Sequence, residues 1–208
     1  SLLQGLFYIA KEITQIDSNV NKKTGGFCMS KKVLIISTSL RNQSNSETLA
    51  HAFAEGAEAA GNVVEQITLR DKQIAFCKGC LACQKLHKCV ISDDASPITE
   101  KMQQADVIVW ATPIYYYDIS GQMKTLIDRA NALYSSDYAF RDIYLLSTAA
   151  EEEEGTDKRA ISSLEGWIDC YEKARLAGVV FAGGVDDPNQ MQGHTALEKA
   201  YSMGASIR

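Results

Sequence analysis

Three stretches of this chain carry side chains whose types and spacing suit chemistry. The first holds four of the 6 cysteines, Cys77-Lys78-Gly79-Cys80-Leu81-Ala82-Cys83 and then Cys89. Reduced thiols so close together suit metal or redox chemistry, with an accidental cluster as the bland alternative. Zinc sites usually bring two separated C-x-x-C pairs. Three thiols at steps of three, with a fourth nearby, suit several corners of an iron–sulfur cubane better. Lys78, Lys85 and Lys88 add positive charge that favours thiolates. Cys28 and Cys170 stand apart and read as ordinary thiols.

The second stretch runs Thr38-Ser39-Leu40-Arg41-Asn42-Gln43-Ser44-Asn45-Ser46-Glu47. It offers four hydroxyls, three amides and one guanidinium just before an amphipathic run. A phosphate monoester wants such donors, and a helix starting near Ser46 would add free N–H groups and its positive dipole end. Ser44-x-x-Glu47 also makes a capping box. Capping occupies one or two of these residues, so the whole series favours phosphate. The third stretch, Thr112-Pro113-Ile114-Tyr115-Tyr116-Tyr117, sets backbone N–H groups beside aromatic rings. That arrangement could serve the carbonyls and ring nitrogens of a stacked heterocycle. Taken alone, it equally suits tyrosines filling a helix–sheet seam.

The elements that must position these stretches alternate in period. Val33–Thr38 is a short apolar run, as in a strand buried on both faces, and Val63–Leu69, Asp106–Ala111, Asp142–Ala149 and Ala177–Ala182 read as further strands. Thr112-Pro113 should end the third, because proline cannot donate to a ladder. Leu49, Ala50, Phe53, Ala54 and Ala57 form a helical stripe, as do Ile119, Met123, Leu126, Ile127 and Ala130. Asp157–Ala174 and His194–Ser206 are also expected to be helical. Strands alternating with helices predict an α/β fold: a flavodoxin-like, doubly wound, five-stranded parallel sheet of order 2-1-3-4-5 with helices on both faces. Ligands of such sheets sit at the strands' carboxyl ends, near the switch between strands 1 and 3, where the second and third stretches begin.

Composition removes several classes. The 208 residues suit one domain, with 46% hydrophobic and 23% charged residues. A net charge of -5 argues against nucleic-acid partners. No apolar run reaches the roughly 18 residues needed to span a bilayer, so no membrane association is expected. Residues 1–28 are expected to be an N-terminal extension ahead of a domain at 29–208. Their apolar stretch Leu2–Ala10 has no basic segment before it, so export is not expected and a cytoplasmic location is. The G-x-G-x-x-G and G-x-x-x-x-G-K-[ST] patterns are absent, and His51, His87 and His194 form no ligand spacing.

Lys32 through Arg41 with Ser44-Asn45-Ser46, Ala105-Asp106 through Tyr115, Ser120-Gly121-Gln122-Met123-Lys124 and Ile127-Asp128-Arg129 together resemble the flavodoxin-like NAD(P)H-dependent FMN reductase and iron–sulfur flavoprotein family. The resemblance runs from residue 32 to about 135; beyond that only the strand–helix pattern matches. It implies that Ser39, Arg41, Ser44, Asn45 and Ser46 hold the phosphate of FMN. It implies that Thr112, Pro113, Ile114, Tyr115 and Tyr116 line its ribityl chain and isoalloxazine. Leu40 stands where family members often carry proline, and no motif marks a third flavin loop after Thr148. The thiol spacing is similar to the compact motif of the iron–sulfur flavoproteins, which would place a [4Fe–4S] cluster on Cys77, Cys80, Cys83 and Cys89.

The expected function is therefore an FMN-dependent oxidoreductase taking hydride from NADH or NADPH and reducing a second acceptor, a small molecule or redox protein. The flavin performs the chemistry, so no catalytic acid or base is assigned. The alternatives are an electron-transfer iron–sulfur flavoprotein and a non-enzymatic, zinc-stabilised binding module. The resemblance also implies a homodimer or homotetramer.

Overall fold

The apolar runs form the strands expected of them. The computed structural model describes residues 29–208, so the extension proposed for 1–28, with Cys28, lies outside the described residues. The strands are β1 (Lys32–Ser37), β2 (Val63–Thr68), β3 (Val107–Tyr115), β4 (Asp118–Ile119), β5 (Asp142–Thr148) and β6 (Arg175–Ala182). The helices are α1 (Asn45–Ala59), α2 (Ala82–Leu86), α3 (Ala95–Gln104), α4 (Gly121–Arg129), α5 (Lys158–Ile168) and α6 (Ala196–Ala205), with a 3-10 turn at Ala130–Ser135.

The sheet order is β2-β1-β3-β5-β6, all parallel, with the short β4 antiparallel to β3. Leaving out β4, this is the expected 2-1-3-4-5. Side chains alternate between two cores, as the two-residue period of a strand requires. Leu34, Ile36, Ile108, Trp110, Ile143 and Leu145 face α3, α4 and α5. Val33, Ile35, Val107, Val109, Tyr144 and Leu146 face α1 and α6. Burial on both faces is why these strands read as nearly continuous apolar runs.

Three of the boundaries that differ from the sequence expectation have a clear physical reason. β3 runs through Pro113 to Tyr115 because its β5 side stays paired, Pro113 opposite Thr148. On the other side Ala111 O accepts from Thr38 N. The missing donor of Pro113 therefore faces past the end of β1, where it breaks no ladder bond. α5 stops at Ile168, since the following turn buries Tyr171 against Tyr138, Phe140 and Trp167. α6 starts at Ala196 because His194 Nδ1 accepts from the Ala196 N–H, leaving Nε2 to donate to Gly183 O.

α1 and α6 cross with their backbones almost touching. A Cβ on Gly56 would lie 2.0 Å from Tyr201 O, and one on Gly204 would lie 2.1 Å from Phe53 O. This contact fixes the axis of α1, and with it the direction of the helix start at Ser44. Gly56→Ala should lower stability by about 3 kcal/mol, since backbone cannot move aside as a side chain can. Gly166→Ala, on the exposed face of α5 with nothing within 4 Å, should be neutral or stabilising by up to roughly 1 kcal/mol. Denaturant unfolding of both variants measures the contrast, and equal losses would refute it.

Candidate functional site

At the carboxyl edge of the sheet, the loop after β1, the end of β3 and the segments that follow β5 and β6 line a solvent-open cleft. Ser39, Arg41, Ser44, Asn45 and Ser46 line one end, and Pro113, Ile114 and Tyr115 line another wall. Eight of the ten side chains expected around a flavin therefore meet at one place.

Their local roles differ. Ser44 caps α1, its Oγ accepting from the Glu47 N–H at 3.2 Å. Ser39 is buried, and its Oγ accepts from the Arg41 N–H at 3.3 Å. Ser46 is 1% exposed, and its Oγ has no hydrogen-bond partner among the described residues. The first-turn N–H groups beside it have no acceptors inside the helix. A buried hydroxyl left unpaired costs about 1–3 kcal/mol. Placed at a helix N-terminus in a cleft that Arg41 also lines, it fits a phosphate oxygen. Asn45 has its carboxamide engaged elsewhere, donating to Asp187 O at 2.9 Å and accepting from the Gln190 N–H at 3.0 Å. Its side chain therefore serves the segment after β6 before it can serve an anion.

Thr112 and Tyr116 are not among the cleft's lining residues. Thr112 is fully buried and shares a hydroxyl network with Ser120, whose Oγ also meets Thr38 Oγ1 at 2.9 Å. These three hydroxyls tie the loops after β1 and β3 to the start of α4. Tyr116 and Tyr117 form the two-residue turn between β3 and β4, with φ of 51° and 66°. That type I′ geometry usually takes Asn-Gly, so both tyrosines sit in the left-handed region at a conformational cost. Tyr116 points outward, 97% exposed.

Two further walls complete the cleft: Thr148 at the end of β5 with Ala149 and Ala150, and Val185, Asp186 and Pro188 after β6. The place of the first is read from the sequence without a motif, whereas the second is missed. The second had a signal in its turn-forming Gly183-Gly184 and Asp187-Pro188-Asn189, placed at a strand's carboxyl end.

The thiols lie on the long connection between β2 and α3. Cys77 and Cys80 are exposed, whereas Cys83 and Cys89 are half-buried. Among the described residues no three His, Cys, Asp or Glu side chains converge where a metal could bind. The sulfurs are thus brought to one loop but not to one point. Cys83 Sγ accepts from Asn131 Nδ2 at 3.1 Å. The loop's base is closed by Arg129, whose side chain is 0% exposed. Its guanidinium donates to Asp93 at 2.6 and 2.8 Å, to Ala75 O at 2.7 Å and to Ile91 O at 3.2 Å. It thereby joins both ends of the cysteine segment. Although burial opposes ionisation of Asp93, hydrogen bonds from Arg129 and the N–H groups of Ala75 and Ala95 hold its carboxyl below the usual carboxylate range. No helix of the described residues is long and apolar enough to cross a membrane.

A family model described as NADPH-dependent FMN reductase matches residues 31–166. An iron–sulfur flavoprotein of Methanosarcina thermophila is 28% identical over 77% of this chain and 88% of its own length. An iron–sulfur flavoprotein of Archaeoglobus fulgidus is 40% identical over 49% of this chain, and that match spans only half of the relative. Among solved structures, an NAD(P)H:quinone oxidoreductase from Methanothermobacter marburgensis superposes with a TM-score of 0.64 at 17% identity, over 86% of this chain and 100% of the other. That likeness establishes the flavodoxin-like fold.

The Arg129–Asp93 pair yields a prediction. Asp93→Asn should cost about 3–5 kcal/mol at pH 7, because it leaves a buried guanidinium short of its counter-charge. Asp93 has a depressed folded pKa, so its stabilisation is full above the ordinary carboxylate value and is lost as pH falls below about 4. Unfolding curves of the two proteins should therefore converge toward acid. A gap independent of pH would disprove this.

Proposed function

This chain belongs to the NADPH-dependent FMN reductase family, and we propose that it is an FMN-dependent oxidoreductase that takes hydride from NADH or NADPH at the cleft and passes electrons to a second acceptor, a quinone, a flavin or a similar small molecule. The observation that carries this reading is the buried, partnerless Ser46 hydroxyl at the start of α1, in a cleft that Arg41 also lines. In FMN's place the protein offers what a phosphate ester needs: the α1 N–H groups, Ser39, Ser46 and Arg41. FMN, when bound, supplies the two-electron redox chemistry that no side chain here provides.

The rest of the work belongs to the chain's own residues. Pro113 stiffens the strand end that forms one wall, and Tyr115 sets an aromatic ring at its rim. Ala149 and Ala150 are small enough to let backbone approach a planar ligand on the opposite side. Ser120, Thr112 and Thr38 tie the ends of β1 and β3 to the start of α4 through their shared hydroxyls. Family membership displaces the zinc-stabilised binding module as a reading. A homodimer or homotetramer is the proposed assembly, supported by the bare aromatic rings of Tyr116 and Phe76 near this edge of the sheet.

A second reading adds a [4Fe–4S] cluster on Cys77, Cys80, Cys83 and Cys89, making the chain an electron-transfer flavoprotein served by a redox partner. Its support is the cysteine spacing together with the names of the matched relatives. The described positions of the sulfurs form no cage.

Two experiments test these readings. Ser46→Glu should reduce FMN affinity by about 100-fold or more, since it sets a carboxylate against the phosphate. Unchanged flavin content would defeat the cleft assignment. Anaerobic reconstitution with iron and sulfide should load about four irons per chain if the second reading holds. Equal uptake by a Cys80→Ser, Cys83→Ser double variant would leave a flavin-only reductase.

A further inference from the structure

Asp186 puts a carboxylate where an anion site would not be expected to want one. It lines the same end of the cleft as Ser46 and Arg41, and Arg41 is the one basic side chain among the lining residues. Arg41 Nη1 donates to the backbone carbonyl of Asp186 at 2.5 Å, and the Asp186 carboxylate lies 4.0 Å from the same nitrogen.

This placement is built rather than incidental. Gln190 Oε1 accepts from the N–H groups of Asp186 and Asp187 at 2.7 and 3.0 Å. The Asn45 carboxamide spans the same segment, from Asp187 O to the Gln190 N–H. Asn189 Nδ2 donates to Gln43 Oε1 at 3.0 Å, closing the segment onto the loop after β1. A wall more than 140 residues distant in sequence is thus latched to the α1 start, and its fixed backbone carries one acidic side chain to 4.0 Å from the Arg41 guanidinium.

We propose that Asp186 is a specificity-determining residue: its carboxylate shares Arg41 with the flavin phosphate and holds the cleft's preference for phosphorylated over unphosphorylated flavin below what its donors would otherwise give. This rests on reading the cleft as the flavin site. The carboxylate acts in two ways of the same sign. It neutralises part of the charge that Arg41 presents, and it repels a phosphate dianion directly. Both side chains are more than half exposed, so solvent and salt screen the effect to about threefold in affinity at low ionic strength. Arg41 keeps its anchor when the carboxylate is removed, because that anchor is a backbone carbonyl. An affinity limited in this way favours exchange of FMN with the free pool.

The test titrates the full-length, flavin-depleted protein with FMN and with riboflavin, following flavin fluorescence. Asp186→Asn should tighten FMN about threefold at low salt, leave riboflavin unchanged, and lose most of its gain at high salt. Arg41→Gln should weaken FMN, and in that background the gain from Asp186→Asn should shrink, as coupling between the two side chains requires. An unchanged ratio of FMN to riboflavin affinity in Asp186→Asn would overturn the inference, as would an equal gain with and without Arg41. A loss of both flavins equally would mark Asp186 as merely structural. Wild-type protein that binds riboflavin and FMN alike, with Ser46→Glu also without effect, would instead overturn the reading of the cleft and the inference with it.

Discussion

β1 is paired on both sides, with Ser37 level with Thr68 of β2 and Ala111 of β3. This register decides where every other part of the site can be. The chain leaves β1 through α1 to reach β2 on one side and must cross to reach β3 on the other, so the loops after β1 and β3 part at their shared carboxyl edge. The gap between them is where a ligand can enter without breaking a ladder bond. The same register levels Pro113 with Thr148, bringing the loop after β5 to the same height. Slipping β1 by one residue would exchange its two core faces and turn the start of α1 away from the gap.

What the sequence reveals of this arrangement is the part governed by short-range pattern. The apolar run at Val33–Ile36 and the stripe from Leu49 to Ala57 are local signals, and they place strand, loop and helix start correctly. The place of Ser46 is legible for the same reason: the pattern sets its hydroxyl just inside a helix that follows a buried strand. Asn45 shows where such reasoning ends. It sits among phosphate-type donors, yet its carboxamide binds a segment 142 to 145 residues away, a pairing no local pattern encodes. Thr112 differs in another way. The resemblance sets it against the ligand, but the strand continues past it, and its buried hydroxyl meets the Oγ and N–H of Ser120.

The tyrosine run has a similar lesson about turn chemistry. A two-residue hairpin needs left-handed backbone at both positions, and nothing in Tyr116-Tyr117 advertises that. Tertiary contacts hold the turn instead. The Tyr117 ring has Arg159 over its face at 6.0 Å, and its hydroxyl meets Glu151 at 3.5 Å. Those contacts bring the loop after β5 against the hairpin, steadying two walls of the cleft together.

Arg41 and Arg129 show how burial assigns different work to the same side chain. Arg129 is fully enclosed, and an unpaired guanidinium there would carry a desolvation penalty of several kcal/mol. It is therefore committed to Asp93 and two carbonyls, and it serves to close the base of the cysteine loop. Arg41 keeps half of its side chain in water and meets only one carbonyl closely. Water can compensate it whenever a contact is lost, so its charge stays available at little cost. A cation that holds a loop shut and a cation that keeps its charge free are thus set apart by burial alone. Arg129 ties the two ends of the cysteine segment together, and Arg41 lines the cleft.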